Sequence, residues 1–412
     1  MTKKSDAPAI RFKGFSDAWE QRKFSELVQI ERGGSPRPID DFITDAPNGL
    51  NWVKIGDAPT QGNYITKTAE KIRPEGLSKT REVHPGDLIL SNSMSFGKPY
   101  IMGIDGCIHD GWLLIRNTYG VFDLTFLCHL LGTPQMLSQY RSLAAGSTVN
   151  NLNKELVGNT YVTIPSITEQ RVLGAYSEQL DNLITLHQRK FEKLTNVKKS
   201  MLEKMFPQNG SSYPEIRFKG FTDPWEQRKA IDIADYSKGN GYSKGDLADA
   251  GTPIILYGRL YTKYQFAISE VDTFAVPRNG AVYSQGNEVI VPASGETAED
   301  IARASAVEKS GVLLGGDLNI LRPFDFMNPL FLALAISNGE PQKELAKKAQ
   351  GKSVVHIHNT DIQEVTIAYP SKTEQDRIVS VFRQLDNLIT LHQRELEKLQ
   401  NIKKSMLEKM FV

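Results

Sequence analysis

The chain has 412 residues, a formal net charge of +1, 24% charged residues and 40% hydrophobic residues. This composition predicts a soluble protein with packed cores, and a nearly neutral chain can bind nucleic acid only through local basic patches. The two cysteines match no metal-ligand spacing, and we find neither a signal peptide nor an apolar run of about 18 residues, so we expect a cytoplasmic protein without a membrane segment.

Two copies of one unit make up the chain. The stretch IRFKGFSDAWEQRK, which begins at Ile10, returns as IRFKGFTDPWEQRK at Ile216, 206 residues later. The stretch QLDNLITLHQR at Gln179–Arg189 returns letter for letter at Gln384–Arg394, 205 residues later. A period close to half the chain length indicates two domains built on one plan.

Each copy opens with the first of these repeated stretches. The residues IRFKGF are expected to be extended, and a short helix is predicted around Trp19 and around Trp225. In the second copy, Asp223 suits the N-cap, Pro224 the first helical position and Glu226 the third.

A mostly β region with many loops follows, from about Glu31 to Thr148 and from about Tyr236 to Ser353. These two regions barely align, whereas the stretches around them are nearly identical, which predicts two different heads on two identical supports. The strand candidates are Trp52–Ile55, Asp87–Leu90, Trp112–Ile115, Tyr161–Ile164, Ile254–Tyr257, Ala281–Tyr283, Val289–Val291, Leu318–Leu321 and Val365–Ala368, and the helix candidates are Leu124–Leu131 and Pro329–Ile336.

A long amphipathic helix is predicted at the end of each copy, over the 38 residues Glu169–Phe206 in the first. Ser166 and Ser371 each precede a glutamate by three residues, which fits a capping box. Apolar side chains recur every seven residues, so each helix must bury one stripe, and the other helix is its simplest partner. The alternative is two separate helices, each lying on its own globular domain. The predicted helix-pair residues are Leu180, Ile184, His187, Leu194, Met201, Leu385, Ile389, His392, Leu399 and Met406, with Leu183, Val197 and Leu202 beside the first stripe.

Four segments follow from this organisation. We predict a first domain over residues 1–164 and a first long helix over 165–206. A linker and a second domain occupy 207–369, and a second long helix occupies 370–412.

Motifs for catalysis fail on inspection. Asn328–Phe331 lacks the second proline of the amino-methyltransferase signature, and Gly351–Ser353 lacks the first glycine of a phosphate-binding loop. His356 and His358 have no further metal ligand at a suitable spacing, so polar surface histidines are the better interpretation. We therefore predict neither a catalytic centre nor a metal site.

Basic, amide and hydroxyl side chains in the loops are candidates for contacts with DNA. Arginine and asparagine can bind base edges, while serine, threonine and lysine hold phosphates. The alternative for each of these residues is an ordinary solvated loop. The candidates are Arg37, Ser93, Lys98, Thr148, Asn150, Asn151, Arg259, Lys263, Ser294, Lys352 and Ser353.

The chain resembles the DNA-specificity subunits of type I restriction-modification systems over nearly its whole length. The resemblance rests on Pro165–Gln170 followed by Leu180–Ile184, and on their second copies Pro370–Gln375 and Leu385–Ile389. The strand and loop at Gly86–Lys98 add to it.

This resemblance implies an α+β fold with two mostly β or mixed target-recognition domains and two long helices paired as an antiparallel coiled coil. Each domain would read one half of a split, asymmetric sequence in double-stranded DNA. The helices would set the spacing and dock two modification (methyltransferase) subunits, and two restriction subunits could join. The chain itself would hold no cofactor, since S-adenosylmethionine, ATP and Mg²⁺ belong to the partner subunits.

Two other functions compete with this interpretation. The chain could be a self-contained fragment of a restriction or modification enzyme, which an assay of the isolated chain for methyl transfer or cleavage would reveal. It could also be a purely structural coiled-coil protein, which specific binding of duplex DNA would exclude.

Overall fold

The computed structural model describes residues 7–92, 96–144, 151–351 and 354–412, which form two compact units. The first unit combines Met1–Lys190 with Leu391–Val412, and the second is Phe191–Thr390. The second unit is therefore an insertion into the sequence of the first. The predicted α+β class is confirmed. Within the described residues, no helix is both long and apolar enough to cross a membrane.

The first unit contains two main sheets, a two-stranded sheet and helices. One sheet has the order β2-β10-β7-β8-β4, the other β5-β3-β9-β6, and β1 pairs with β11. The strands are β1 Glu20–Lys23, β2 Gln29–Arg32, β3 Leu50–Val53, β4 Tyr64–Ile65, β5 Glu70–Ile72, β6 Arg81–Val83, β7 Leu88–Ser91, β8 Pro99–Met102, β9 Gly106–Ile108, β10 Trp112–Arg116 and β11 Tyr161–Ile164; the helices are α1 Leu124–Leu131, α2 Pro134–Ala144, α3 Lys154–Gly158 and α4 Ile167–Lys204, whose last part belongs to the second unit.

The second unit repeats the strand order of the first, although the two sequences barely align. Its sheets run β13-β23-β19-β21-β16 and β14-β17-β15-β22-β18, β12 pairs with β25, and β20 pairs with β24. The strands are β12 Glu226–Lys229, β13 Ala234–Lys238, β14 Leu247–Ala248, β15 Thr252–Ile255, β16 Ala267–Ile268, β17 Phe274–Ala275, β18 Tyr283–Gln285, β19 Glu288–Pro292, β20 Ser294–Gly295, β21 Ser305–Val307, β22 Ser310–Leu314, β23 Leu318–Pro323, β24 Val355–His356 and β25 Thr366–Tyr369; the helices are α5 Arg259–Thr262, α6 Ala298–Ile301, α7 Pro329–Ile336, α8 Gly339–Lys348, α9 Asn359–Gln363 and α10 Lys372–Lys409, whose last part belongs to the first unit.

Apolar strands lie at the centre of each unit because the central sheet is covered on both faces. In β10, Leu113 and Ile115 pack on the side of α1, whereas Trp112 and Leu114 face the second sheet. Successive strand residues point to opposite faces, so a strand buried on both sides has a continuous apolar sequence. The strands β19 and β23 divide their side chains between two cores in the same way.

The repeated ends of the long helices complete these cores. Phe411 lies in the first unit, where its ring stacks on Phe126 at 5.4 Å between centroids. Phe206 takes the corresponding place in the second unit, with Phe331 at 5.6 Å and Trp225 at 5.9 Å. The repeated Met-Phe pair at the end of each long helix, Met205–Phe206 and Met410–Phe411, therefore packs in a core.

The repeated opening stretches hold the starts of the long helices through buried ion pairs. Arg11 donates two hydrogen bonds to Glu169, at 2.6 and 2.7 Å. Arg217 binds Glu374 with the same two-pronged geometry, at 2.8 Å for both bonds. Ser166 Oγ accepts from the Glu169 amide at 3.4 Å. The predicted capping box at Ser166 is therefore half correct. The serine hydroxyl accepts from the Glu169 amide as expected, but the Glu169 carboxylate binds Arg11 instead of the Ser166 amide.

The next residue of each helix, a glutamine, ties the helix to its head. Gln170 Oε1 accepts from the Asp123 amide at 2.9 Å, and Gln375 Oε1 accepts from the Asn328 amide at 2.7 Å. Asp123 and Asn328 are themselves the N-caps of α1 and α7. One repeated Glu-Gln pair thus fixes both the opening stretch and the first helix of each head.

The short helices predicted around Trp19 and Trp225 are wrong. Both tryptophans are buried, and the residues after them form strands β1 and β12. Those strands pair antiparallel with β11 and β25. Pairing with distant strands has outweighed the local helix-start signal, as tertiary context often does.

The long helices contact each other within each unit. In the first unit, Asp181 of α4 binds Lys403 of α10, and the Nδ1 atoms of His187 and His392 are 3.3 Å apart. The contacted residue number falls as the α4 number rises, so these segments run antiparallel. In the second unit, Lys198 of α4 binds the Asp386 carboxylate at 2.5 Å.

The predicted stripe is covered to different degrees. Leu183 and Val197, which were expected beside the stripe, are exposed. Met201 and Leu385 pack against the core of the second unit, and Met406 against that of the first. Of the predicted helix-pair residues, Leu180 and Ile184 are buried, and His187, Leu194, Met201, Leu385, Ile389, His392, Leu399 and Met406 are half-buried.

His129 on α1 is a buried titratable group in the first unit. Its Nε2 lies 3.7 Å from Asp181, and burial lowers its pKa from 6.5 to about 4. Below pH 6.5 the unfolded chain takes up a proton that the folded unit resists. The neutral His129 therefore costs the first unit no stability above pH 6.5. Between pH 6.5 and pH 4 the free energy of unfolding of this unit falls by roughly 3 kcal/mol.

We expect His129→Leu to remove this part of the pH dependence. Leucine is a matched choice because Leu334 occupies the corresponding, sixth position of α7. Urea unfolding of the first unit at pH 7.5 and pH 5, followed by hydrogen exchange, measures the difference. An equal pH dependence in both proteins would show that His129 does not carry it.

Candidate nucleic-acid interface

The loop after β2 lies directly on the turn between β9 and β10. A Cβ atom on Gly33 would come within 2.2 Å of the His109 carbonyl oxygen, and one on Gly34 within 2.5 Å of the Lys79 carbonyl oxygen. Only glycine permits such a close approach of two backbones. Because the loop approaches so closely at the two glycines, Ser35 and Arg37 lie at this edge of the sheet.

Asp110 joins three loops at this edge. Ser35 Oγ donates to Asp110 Oδ1 at 2.9 Å, and His109 Nε2 lies 2.9 Å from the same oxygen. Asn92, at the start of the β7–β8 loop, donates to the Asp110 carbonyl at 2.8 Å. The Leu152 amide in turn donates to the Asn92 carbonyl at 2.9 Å. Three of the loops nominated from the sequence therefore meet.

The tautomer of His109 follows from these bonds. The Gly111 amide donates to His109 Nδ1 at 2.9 Å, so this nitrogen is an acceptor. The hydrogen then resides on Nε2 and is donated to Asp110, an assignment that rests on the bonding network. His109 therefore links the Gly111 amide to the Asp110 carboxylate within the cluster.

A cavity of about 1000 Å³ opens beside this cluster in the first unit. Trp52, Lys54, Glu70 and His109 line it, together with the loop from Ser35 to Asp40. The side chain of Arg37 at its rim is 81% exposed, with Nη2 at 3.7 Å from Asp110 Oδ2. The cavity thus combines a buried aromatic wall with an exposed positive charge at its rim.

The second unit has a cavity in the corresponding place. The Gly239 amide donates to the Leu318 carbonyl at 3.0 Å, as the Gly33 amide does to the Trp112 carbonyl at 2.9 Å. This cavity has a volume of about 670 Å³. Its lining residues include Tyr242, Lys244, Leu247, Leu256, Tyr257, Arg259, Tyr261, Lys263, Asp272 and Asp317. Loops with little common sequence therefore form a concavity at the same edge of the same sheets.

Arg259 and Lys263, the two cations of the second cavity that the sequence suggests for DNA contacts, both bind Asp272. Arg259 Nη1 binds it at 2.7 Å, and Lys263 Nζ binds its other oxygen at 2.5 Å. These hydrogen bonds, with that of Lys263 the larger influence, lower the pKa of Asp272 to about 2. Arg259 also donates to Gln265 and to the Glu270 carbonyl. Both cations remain candidates for DNA contacts, but each would have to leave this carboxylate.

The other nominated residues occupy different surroundings. Lys98 is half-buried, with its ammonium 4.9 Å from the ring centre of Tyr100. Asn151 is exposed beside Leu152. Ser294 is buried, with Oγ at 3.1 Å from His356 Nδ1. Ser93, Thr148, Asn150, Lys352 and Ser353 lie outside the described residues.

Several residues of the two cavities were missed from the sequence. Asp110 and His109 belong to no motif, and Tyr242, Tyr257 and Tyr261 carry no spacing signal. One usable signal was Gly239, which stands 206 residues after Gly33, the same offset as between the opening stretches. Among the described residues, no three His, Cys, Asp or Glu side chains are grouped so as to hold a metal ion.

One protein family matches both halves of the chain. The sequence model of the type I restriction modification DNA specificity domain matches residues 16–196 and again residues 222–401. Each match includes a whole head and most of a long helix. Together they account for more than half of the chain.

Similar proteins carry the same description. The MjaVIII specificity subunit of a type I restriction enzyme from Methanocaldococcus jannaschii is 20% identical over 409 residues, covering 94% of this chain and 95% of that protein. The putative MjaX specificity subunit from the same organism is 20% identical over 423 residues, covering 94% and 92%.

Solved structures share the fold. The crystal structure of the S subunit of a type I restriction-modification system from M. genitalium matches with a TM-score of 0.65 at 14% identity, covering 98% of this chain and 99% of that one. A chain from a structure of type I restriction-modification complex assembly has a TM-score of 0.50 at 16% identity, covering 95% and 97%.

Proposed function

The chain belongs to the type I restriction modification DNA specificity family, and from this membership we propose how it acts in a restriction-modification complex. Each unit reads one half of a split, asymmetric target in double-stranded DNA. The chain selects the sequence, while methyl transfer and cleavage belong to partner subunits. Its place of action is the cytoplasm, where the DNA is.

The observation that carries this proposal is the pair of corresponding cavities. Two heads with the same strand order have kept a concavity at the same sheet edge while its lining changed from Trp52 and Arg37 to three tyrosines. A fold that keeps a recess and varies its lining suits a reader of different half-sites. Function is commonly carried by loops on a rigid scaffold.

The long helices are proposed to set the spacing between the half-sites. Each is a continuous helix of 38 residues, or about 57 Å at about 1.5 Å per residue. A helix of this length acts as a stiff spacer, whereas a loop of equal residue count would not hold a fixed distance.

Exchange of one head tests the reading function. Replacing residues 236–350 by the corresponding region of a relative is expected to change one half of the methylated sequence and leave the other half intact. Mapping methylated adenines in DNA exposed to the assembled complex gives the result. Native mass spectrometry of the same preparation controls for assembly. A change in both halves would contradict independent reading by the two units.

We propose that two modification subunits dock on exposed leucines that the repeat presents twice. Leu183 and Leu186 on α4 are 44% and 45% exposed, and Leu388 and Leu391 on α10 are 43% and 52% exposed. Residues three apart lie on one face of a helix. Two identical apolar patches suit two identical partners, which would bring S-adenosylmethionine. Restriction subunits, which would use ATP and Mg²⁺, are proposed as further members of the complex.

Charged substitutions should remove these partners one at a time. The double variant Leu183→Glu/Leu186→Glu is expected to bind one modification subunit instead of two, and so is Leu388→Glu/Leu391→Glu. The quadruple variant should bind none, because each patch would then bury carboxylates. Native mass spectrometry of the co-expressed complex counts the subunits.

The matched control is Val276→Glu, a change at a 66% exposed apolar residue of the second head that the repeat does not duplicate. It should keep two partners. Two partners on the quadruple variant would place the docking surface elsewhere.

A further inference from the structure

We propose that Arg37 reads a guanine in the half-site of the first unit and so determines part of its specificity. This inference rests on the proposed function, since it assigns one base contact within the DNA interface. It follows from the way in which the loop holds this side chain compared with the cations of the second cavity.

The guanidinium of Arg37 is exposed, and its N–H groups are not used in hydrogen bonds to the described residues. Its contact with Asp110 Oδ2 is 3.7 Å long, beyond hydrogen-bond distance, and Ser35 and His109 bind the other carboxylate oxygen, Oδ1. No hydrogen bond joins the Arg37 side chain to another described residue. Asp110 therefore orients the positive charge toward the cavity rim while the N–H donors stay available.

The backbone at Arg37 is restrained before any DNA arrives. Pro36 and Pro38 flank it, and a proline fixes its own φ angle and restricts the residue before it. Gly33 holds the preceding part of the loop against His109 in the β9–β10 turn, and Gly34 holds it against Lys79 before β6. Little backbone entropy is then lost on binding, which favours a specific contact over a transient one.

A planar guanidinium with unused donors matches guanine, whose O6 and N7 atoms accept two parallel hydrogen bonds in the major groove. The second cavity offers a contrast. Of the cations that line it, Arg259 and Lys263 both bind Asp272, and the third, Lys244, is an exposed lysine. A lysine ammonium is a point charge without the planar fork of a guanidinium, so none of the described lining residues of the second cavity offers an unpaired arginine. The two units thus differ in how they recognise a base.

Binding titrations of the assembled complex test the assignment. The target is first found by mapping methylated adenines, and each base pair of a duplex is then varied in turn. Arg37→Ala is expected to reduce affinity for the cognate duplex about 10- to 100-fold and to relax one G·C position of one half-site. Arg37→Lys should recover the dependence on salt but only part of the preference for guanine. Arg81→Ala removes another exposed arginine of this unit, outside the cavity lining, and should change neither.

Three outcomes would overturn the assignment. A target without a specified G·C pair in either half would exclude it at once. Equal loss of affinity for all sequences, with the salt slope lower by about one, would make Arg37 a phosphate contact and leave the proposed function intact. Unchanged affinity and preference would also exclude it. If the unmodified complex shows no sequence preference at all, the proposed function itself fails.

Discussion

Replacing Arg217 with alanine is expected to lower the free energy of unfolding of the second unit by about 3–5 kcal/mol. Arg217 binds both oxygens of Glu374, whose side chain is 1% exposed. Without the guanidinium, a carboxylate would stay buried with no opposite charge. Denaturant unfolding, with hydrogen exchange to locate the change, measures the loss.

Two variants control for this result. Arg228→Ala removes a pair with Glu226 in which both side chains are largely exposed, and such pairs contribute about 0–1 kcal/mol. It also removes a cation–π contact with Phe326 at 5.4 Å, which contributes about 0.5–1 kcal/mol at an exposed site, so the total loss should stay below that of Arg217→Ala. Arg11→Ala removes the corresponding buried pair of the first unit and should raise exchange there. If Arg217→Ala costs no more than Arg228→Ala, the buried pair does not hold the opening stretch to α10.

Phe411→Ala is expected to destabilise the first unit by about 3–5 kcal/mol. The Phe411 side chain is 3% exposed and stacks on Phe126, so alanine would leave a cavity in the core. Phe206→Ala should have a similar effect in the second unit, where Phe331 is the stacking partner. Hydrogen exchange of each unit separates the two results.

The loss of stability after Phe411→Ala should be confined to the first unit, where Phe411 packs. Phe411→Leu keeps most of the apolar volume and should cost less than alanine. Increased exchange in the second unit alone after Phe411→Ala would contradict the placement of this residue in the first core. A change in neither unit would show that the helix end contributes little to packing.

Local signals made several elements predictable to the residue. The helices Leu124–Leu131 and Pro329–Ile336 match their predictions, because Asp123 and Asn328 cap them with side-chain hydrogen bonds. The strand Tyr161–Ile164 matches as well. For the two helices, the residues that decide the first boundary are neighbours in sequence, whereas the strand also pairs along its whole length with β1.

Elements with boundaries set by distant partners were predicted less well. The strand expected at Trp52–Ile55 is Leu50–Val53, because it ends where its pairing with β5 and β9 ends. The common topology of the heads was hidden for a related reason. Strand order depends on backbone pairing and on which face is buried, and many apolar sequences satisfy both.

The candidate site was predictable as loops but not as contacts. Arg37 was nominated for its chemistry alone, and its orientation by Asp110 depends on the fold. Lys263 was nominated in the same way, although Asp272 neutralises it. The partner of a charged side chain is chosen by three-dimensional proximity, which composition and spacing do not reveal.

The insertion of one unit into the other has a consequence for synthesis on the ribosome. The first unit needs Met410 and Phe411, which are translated only after the 200 residues of Phe191–Thr390. At about 5–20 residues per second, this delay is roughly 10–40 s. During that time the apolar surface around Phe126 lacks its cover and is open to chaperones. The unit that is begun first is therefore finished last.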